Sequence, residues 1–287
     1  MSHLESQLLE QLSAGPLSGG RYTFQSQVLG KEYTYCQLKP PEQPSETLYL
    51  FHGGNADDRQ FYETGLLGLI QGELGELFRK RRIQVVLPFI GKSFLHQHPL
   101  EKQRSYSNCF FDELVPVVEA NTRTAPSTRW VGGLSMGGQA ALNVFMRKPG
   151  FFQGVAVHFP TLVCFDYTQA DEVAAFSKRC SVTDPYLKIL VDEFQNEFVD
   201  RQDYLSHDPI ALFRKMSAEE RSVLAKKHIY FDVGGLDEFG LFEGCEAFHR
   251  ELQNEGIAHR FESLPDGKHD GPFVFQQFPK LLSYLFS

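Results

Sequence analysis

Three residues far apart in the chain have the types needed for acyl transfer: Ser135, Asp237 and His269. Ser135 lies in Gly133-Leu134-Ser135-Met136-Gly137, a G-x-S-x-G run between the apolar stretch Arg129-Trp130-Val131-Gly132 and the helix-forming residues 139–146. A serine on a strand-to-helix turn needs tight backbone angles and small neighbours two residues away on each side. Glycine at 133 and 137 meets that demand, and the turn lifts the hydroxyl clear of the sheet. The hydroxyl is a weak nucleophile until a base takes its proton, and the base needs an acid to orient it. Functional loops of a parallel sheet follow the carboxyl ends of its strands. Asp237 follows the strand-like run 228–233 and His269 follows 260–264. Four other acids compete with Asp237. Asp232 falls inside a buried strand, and Glu238 points elsewhere if Asp237 faces the site. Asp266 and Asp270 stand too close to His269 in sequence to orient it across the site.

A tetrahedral intermediate also needs hydrogen-bond donors for its oxyanion. The Met136 N–H, at the start of a helix, is a natural first donor. The second is expected from His52-Gly53-Gly54, where small residues allow close approach to a substrate. Gly54 is the first choice and Gly53 the second.

The elements that must hold these residues can be read from periodicity. Residues 22–29 and 32–38 are β-rich and flank Gly30-Lys31, which reads as a tight hairpin. Residues 47–51 and 83–88 are continuous apolar runs of the kind buried on both faces. Residues 154–159, 228–233 and 260–264 complete the strands; 61–78, 110–120, 139–146, 241–254 and 273–286 read as helices. Strands alternating with helices predict a mostly parallel sheet covered on both faces. Residues 1–20 read as a polar helix and linker, an N-terminal extension. Residues 161–226 carry helical patterns only, an insertion after the sixth strand. Tyr186, Leu187, Leu190, Val191, Phe194 and Phe198 recur there at helix-like intervals and need a surface to cover. The insertion leaves the sheet on the side where Ser135 emerges, so a cap over the serine that sets substrate choice is expected.

Composition narrows the classes further. A chain of 287 residues suits one α/β domain, and a net charge of −8 argues against a nucleic-acid partner. The basic run Arg79-Lys80-Arg81-Arg82 sits at a helix end and reads as solvated. The N-terminal residues lack the pattern of a signal peptide, and no apolar run is long enough to span a bilayer. Five scattered cysteines without a C-x-x-C suggest reduced thiols and a cytoplasmic protein. His96-Gln97-His98 could begin a metal site, but no third ligand stands at motif spacing, so it reads as a polar loop and no metal is expected. Asn55-Ala56-Asp57-Asp58 lacks the glycine and terminal glutamate of a calcium loop and reads as solvated or helix-capping. The 26 phenylalanines read as core rather than as an aromatic groove.

Gly133-Leu134-Ser135-Met136-Gly137-Gly138, with Asp112-Glu113-Leu114-Val115-Pro116-Val117-Val118-Glu119-Ala120 before it and Lys148-Pro149-Gly150-Phe151-Phe152 after it, resembles the esterase D family over about residues 22–285. That family includes S-formylglutathione hydrolases, feruloyl and other carboxylesterases, siderophore esterases and mycolyltransferases. The resemblance implies an α/β-hydrolase fold, Ser135 as nucleophile, Asp237 as acid, His269 as base and no cofactor. Where S-formylglutathione hydrolases carry a longer, cysteine-containing loop, this chain has Gly54-Asn55-Ala56-Asp57-Asp58. The expected activity is hydrolysis of a small-molecule carboxylic ester through an acyl-enzyme. A thioesterase or acyltransferase would use the same residues, and a non-catalytic binding protein on this scaffold would normally lack a triad member. A homo-oligomer is left open.

Overall fold

The computed structural model describes residues 3–120 and 128–286. Eight strands, β1 (Ser18–Ser26), β2 (Lys31–Lys39), β3 (Glu46–Phe51), β4 (Ile83–Pro88), β5 (Thr128–Leu134), β6 (Gly154–His158), β7 (His228–Gly234) and β8 (Arg260–Leu264), form one sheet in the order β1-β2-β4-β3-β5-β6-β7-β8. β2 runs antiparallel to both β1 and β4, and every other neighbouring pair is parallel. The apolar runs of β4 and β6 are buried at every residue, as strands covered on both faces must be.

The first hairpin differs from the expected two-residue turn. β1 starts at Ser18, and the connection is the four residues 27–30, with Ser26 opposite Lys31. A remote carboxylate organises it. Glu113 accepts the N–H groups of Gln27 and Val28 (2.7 and 3.1 Å) and the Ser26 hydroxyl. Residues 1–20 are also more than an appendage, because α1 (His3–Leu12) and the segment after it bury Leu8, Leu12 and Leu17 against the core.

Where one helix was expected over 61–78 there are three short ones: α2 (Gln60–Glu63), α3 (Leu66–Gln71) and α4 (Gly75–Arg81). Gly65, at φ 79°, cannot continue a right-handed helix, and a second break falls at Gly72. The expected helix 110–120 is likewise altered. After α5 (Tyr106–Asn108) the chain widens into a π-helical turn, Cys109–Leu114, before α6 (Val115–Glu119). Pro116 has no N–H to close the regular i−4 bond, which accounts for the disturbed ladder.

α7 (Met136–Arg147) follows β5 and is buried along all but its last residue. Between β6 and β7 come five helices: α8 (Ala170–Cys180), α9 (Asp184–Glu197), α10 (Arg201–Leu205), α11 (Pro209–Lys215) and α12 (Ala218–Leu224). Side-chain caps fix three of their starts. Asp200 and Asp208 accept the third N–H of α10 and α11, and Ser217 with Glu220 makes a reciprocal capping box on α12. α13 (Phe242–Asn254) and α14 (Gly271–Leu285) complete the chain. The phenylalanines are mostly core: Phe51, Phe61, Phe78, Phe94, Phe110 and Phe145 are fully buried.

A polar pair is buried within this core. His158 and Asp232 stand opposite each other on β6 and β7, joined at 2.8 Å with neither side chain exposed, and the Tyr230 hydroxyl donates to the same carboxylate at 3.1 Å. Removing one member strands the other in a low dielectric. Asp232→Ala is expected to cost about 3–5 kcal/mol of stability, read from urea unfolding curves. A loss under about 1 kcal/mol would contradict that account of the pair.

Candidate active site

β3 and β5 are neighbours in register, with Phe51 opposite Gly133, so the loops that leave them start at the same level. The chain runs from β3 outward to β4 on one side and from β5 outward to β6 on the other, and such a switch point opens a crevice at the strand ends. Ser135 stands there with φ 55° and ψ −118°, a conformation rare for a residue with a side chain. Its neighbours explain how it is held. A Cβ at Gly137 would run into the carbonyls of Phe51 and His52, and one at Gly133 into the carbonyl of Gly137. The Ser135 N–H donates to the His158 carbonyl at 3.0 Å, while its own carbonyl accepts from Gln139 and Thr161 (3.0 and 3.3 Å).

The structure brings Ser135, Asp237 and His269 together. His269 Nε2 lies 3.0 Å from Ser135 Oγ, and Nδ1 lies 2.8 Å from Asp237 Oδ2. A carboxylate can only accept, so Nδ1 carries the proton and the Nε2 lone pair faces the hydroxyl. The Asp237 side chain is fully buried, and its Oδ1 accepts the N–H groups of Phe239 (3.0 Å) and Leu241 (3.4 Å). The His269 ring packs between Phe159 and Phe239, with centroids 4.0 and 4.8 Å away. Glu238, set aside in the sequence as pointing elsewhere, accepts the His269 backbone N–H at 2.9 Å and so ties the histidine loop to the acid loop.

The loop after β3 is organised by His52, a residue that sequence reasoning left without a role of its own. Its Nε2 accepts the Ile90 N–H (3.0 Å), so Nδ1 is the donor, and it bonds the Gly53 carbonyl at 2.8 Å. Burial lowers the His52 pKa, and the bond to the Gly53 carbonyl partly offsets that shift. The next peptide is planar and trans, so fixing the Gly53 carbonyl turns the Gly54 N–H to the opposite side of the loop. The Gly53 N–H is taken by Gln60 Oε1 at 2.7 Å, which removes the second choice of oxyanion donor. Met136 opens α7, where the first N–H groups have no intrahelical partner.

Ser135, His269, Gly53 and Gly54 line one cavity of about 280 Å³, together with Phe159 and Phe239. Thr161, and Ile189, Leu190 and Glu193 of α9, line the same cavity. Among the other candidate acids, Asp270 also lines this cavity. Asp232 is the partner of His158, Asp266 is exposed, and Asp270 caps α14 by accepting the Phe273 N–H at 2.9 Å. His96 and His98 pack in a buried group with His207 and do not line the Ser135 cavity. His96 Nδ1 faces Glu197 and the Ser93 carbonyl, and His98 Nδ1 accepts the Glu101 N–H. The loop 55–58 is less solvated than expected, since Asp58 is buried against Arg21 at 2.7 Å and Asp57 pairs with Arg59.

A mostly parallel eight-stranded sheet flanked by helices, with a serine at the turn after its central strand, is the α/β-hydrolase fold. The sequence matches the Esterase family over residues 26–282, and the chain belongs to that family of ester-hydrolysing enzymes. Its fold is shared with a ferulic acid esterase (TM-score 0.70, 18% identity, 95% of this chain and 98% of that one). It is shared equally with an S-formylglutathione hydrolase from Agrobacterium tumefaciens (0.70, 17%, 95% of each chain). The fluorophosphonate-binding serine hydrolase F of Staphylococcus aureus is a third (0.68, 16%, 95% of this chain and 100% of that one). No curated protein matches this sequence. Among the described residues no helix is long and apolar enough to cross a membrane.

Proposed function

We propose that the protein cleaves a carboxylic ester through an acyl-enzyme, with Ser135 as nucleophile, His269 as base and Asp237 as the acid that orients it. The observation that carries this reading is the continuous chain from Ser135 Oγ to His269 Nε2 at 3.0 Å and from His269 Nδ1 to Asp237 at 2.8 Å. His269 takes the Ser135 proton as Oγ attacks the ester carbonyl. The N–H groups of Met136 and Gly54 receive the oxyanion. The imidazolium then protonates the departing alcohol, and the neutral ring activates water to release the acid. Residues 161–226 act as the cap that selects the substrate, a role supported by the four residues they add to the Ser135 cavity. Five cysteines without a disulfide favour the cytoplasm.

A fluorophosphonate probe is expected to label Ser135 in a one-to-one ratio, mapped by peptide mass spectrometry, and to abolish hydrolysis of p-nitrophenyl esters in proportion. Labelling elsewhere with activity lost, or full activity in labelled protein, would overturn the assignment. The acyl length that gives the highest kcat/KM in a p-nitrophenyl series then measures the depth of the cavity.

A further inference from the structure

Glu193 is the acidic residue that α9 contributes to the Ser135 cavity. Its carboxyl rests against the loop after β3, so close that a Cβ at Gly54 would lie 2.5 Å from Oε1 and 3.5 Å from Oε2. The glycine at 54 therefore makes room for this side chain as well as for a substrate. Other inward-facing carboxylates have partners: Asp58 has Arg21, Glu197 has Arg104, and Asp237 has His269. Glu193 forms no hydrogen bond or ion pair among the described residues. Lys92, the nearby cation, is exposed and makes no ion pair with it. Burial raises the Glu193 pKa above the usual glutamate range, with the positive charge of Lys92 opposing that shift.

An unpaired carboxylate beside Gly54 is a liability in an esterase, since negative charge develops on the substrate oxygen at that loop. A substrate that brings a positive charge of its own removes the conflict. The remaining walls suit such a group, because the aromatic residues Phe159 and Phe239 line the same cavity, and aromatic rings attract cations. We propose that Glu193 is a substrate-recognition residue and that this enzyme acts on esters bearing a cationic group, an alkylammonium or similar, which pairs with the carboxylate while the ester carbonyl sits at Ser135. The proposal rests on Ser135 being the nucleophile. It also implies that anionic esters are turned away.

The test uses charged and uncharged isosteres at about pH 8. One pair carries the charge in the alcohol: acetylcholine and 3,3-dimethylbutyl acetate. The other carries it in the acyl group: the p-nitrophenyl esters of 4-(trimethylammonio)butanoate and 5,5-dimethylhexanoate. In at least one pair the wild-type enzyme is expected to favour the cation by about tenfold in kcat/KM, mainly through KM, as a close charge pair at a binding site allows. In Glu193→Gln that ratio falls to near one, and mono-p-nitrophenyl glutarate, an anion, gains relative to the uncharged ester. Hydrolysis without charge discrimination in either pair, or a preference that survives in Glu193→Gln, overturns the proposal alone. No hydrolysis of any of these esters, with no fluorophosphonate labelling of Ser135, overturns the nucleophile assignment and this proposal with it.

Discussion

Ser135→Ala is expected to lower kcat for ester hydrolysis by about 10⁶-fold, the scale seen when a serine hydrolase loses its nucleophile, while leaving the melting temperature nearly unchanged. The two halves of that expectation have separate causes. Oγ opens on a cavity rather than on packed core, so its removal creates no new void and strands no buried partner. Alanine meets the backbone demand at φ 55° about as well as serine does, and the glycines at 133 and 137 that permit the turn are untouched. The chemistry has no such substitute, since nothing else in the cavity places an oxygen 3.0 Å from His269 Nε2. Residual turnover above about one per cent, after correction for contaminating wild type, would show that Ser135 is not the nucleophile. Unfolding at a lower urea midpoint would show instead that the hydroxyl supports the turn.

Asp237→Asn is expected to lower kcat by roughly 10⁴-fold, by analogy with the corresponding change in a serine protease, with the fold intact. The hydrogen bonds around Asp237 decide which way the new amide faces. Oδ1 accepts two backbone N–H groups, from Phe239 and Leu241, so the amide oxygen must take that position and the NH₂ must face His269. A donor opposite Nδ1 forces the proton onto Nε2, and the ring can no longer accept from Ser135. Comparison with Asp232→Ala separates the two aspartates. The first variant is expected to fold and fail at catalysis, the second to lose stability through His158. If Asp237→Asn retained wild-type kcat, the acid assignment would be wrong.

How much of this was legible in the sequence depends on whether the cause was local. The serine turn was legible because its steric requirement falls on residues two positions away. Asp237 and His269 were legible because parallel strands deliver their loops to one edge. The hairpin at 27–30 was not, because the carboxylate that shapes it, Glu113, lies more than 80 residues further on. The helix expected over 61–78 misjudged a cumulative effect, since each glycine alone is tolerable but those at 65 and 72 divide the run. His52 could have been noticed as the residue before the glycine pair, yet its task depends on the Ile90 N–H, which only the fold brings near. Glu193 gave no signal at all. On a helical wheel it is one polar residue among several, and only the packing of α9 turns it toward Gly54.

The seam between Thr161 and Ser135 has a consequence for how such a chain can diverge. The three side chains proposed for the chemistry hang from the ends of β5, β7 and β8, whose spacing is set by sheet register. The outer wall of the cavity comes from α9, which that register does not constrain. On the proposed reading, reactivity and selectivity are thus written in different stretches of the polypeptide, which meet at contacts such as the Thr161 N–H on the Ser135 carbonyl and the Tyr186 ring against Phe239. Substitutions at Ile189 and Glu193, which line the cavity, can therefore accumulate without disturbing the spacing of serine, histidine and aspartate, and a lineage of this architecture can exchange one substrate for another while inheriting the reaction unchanged.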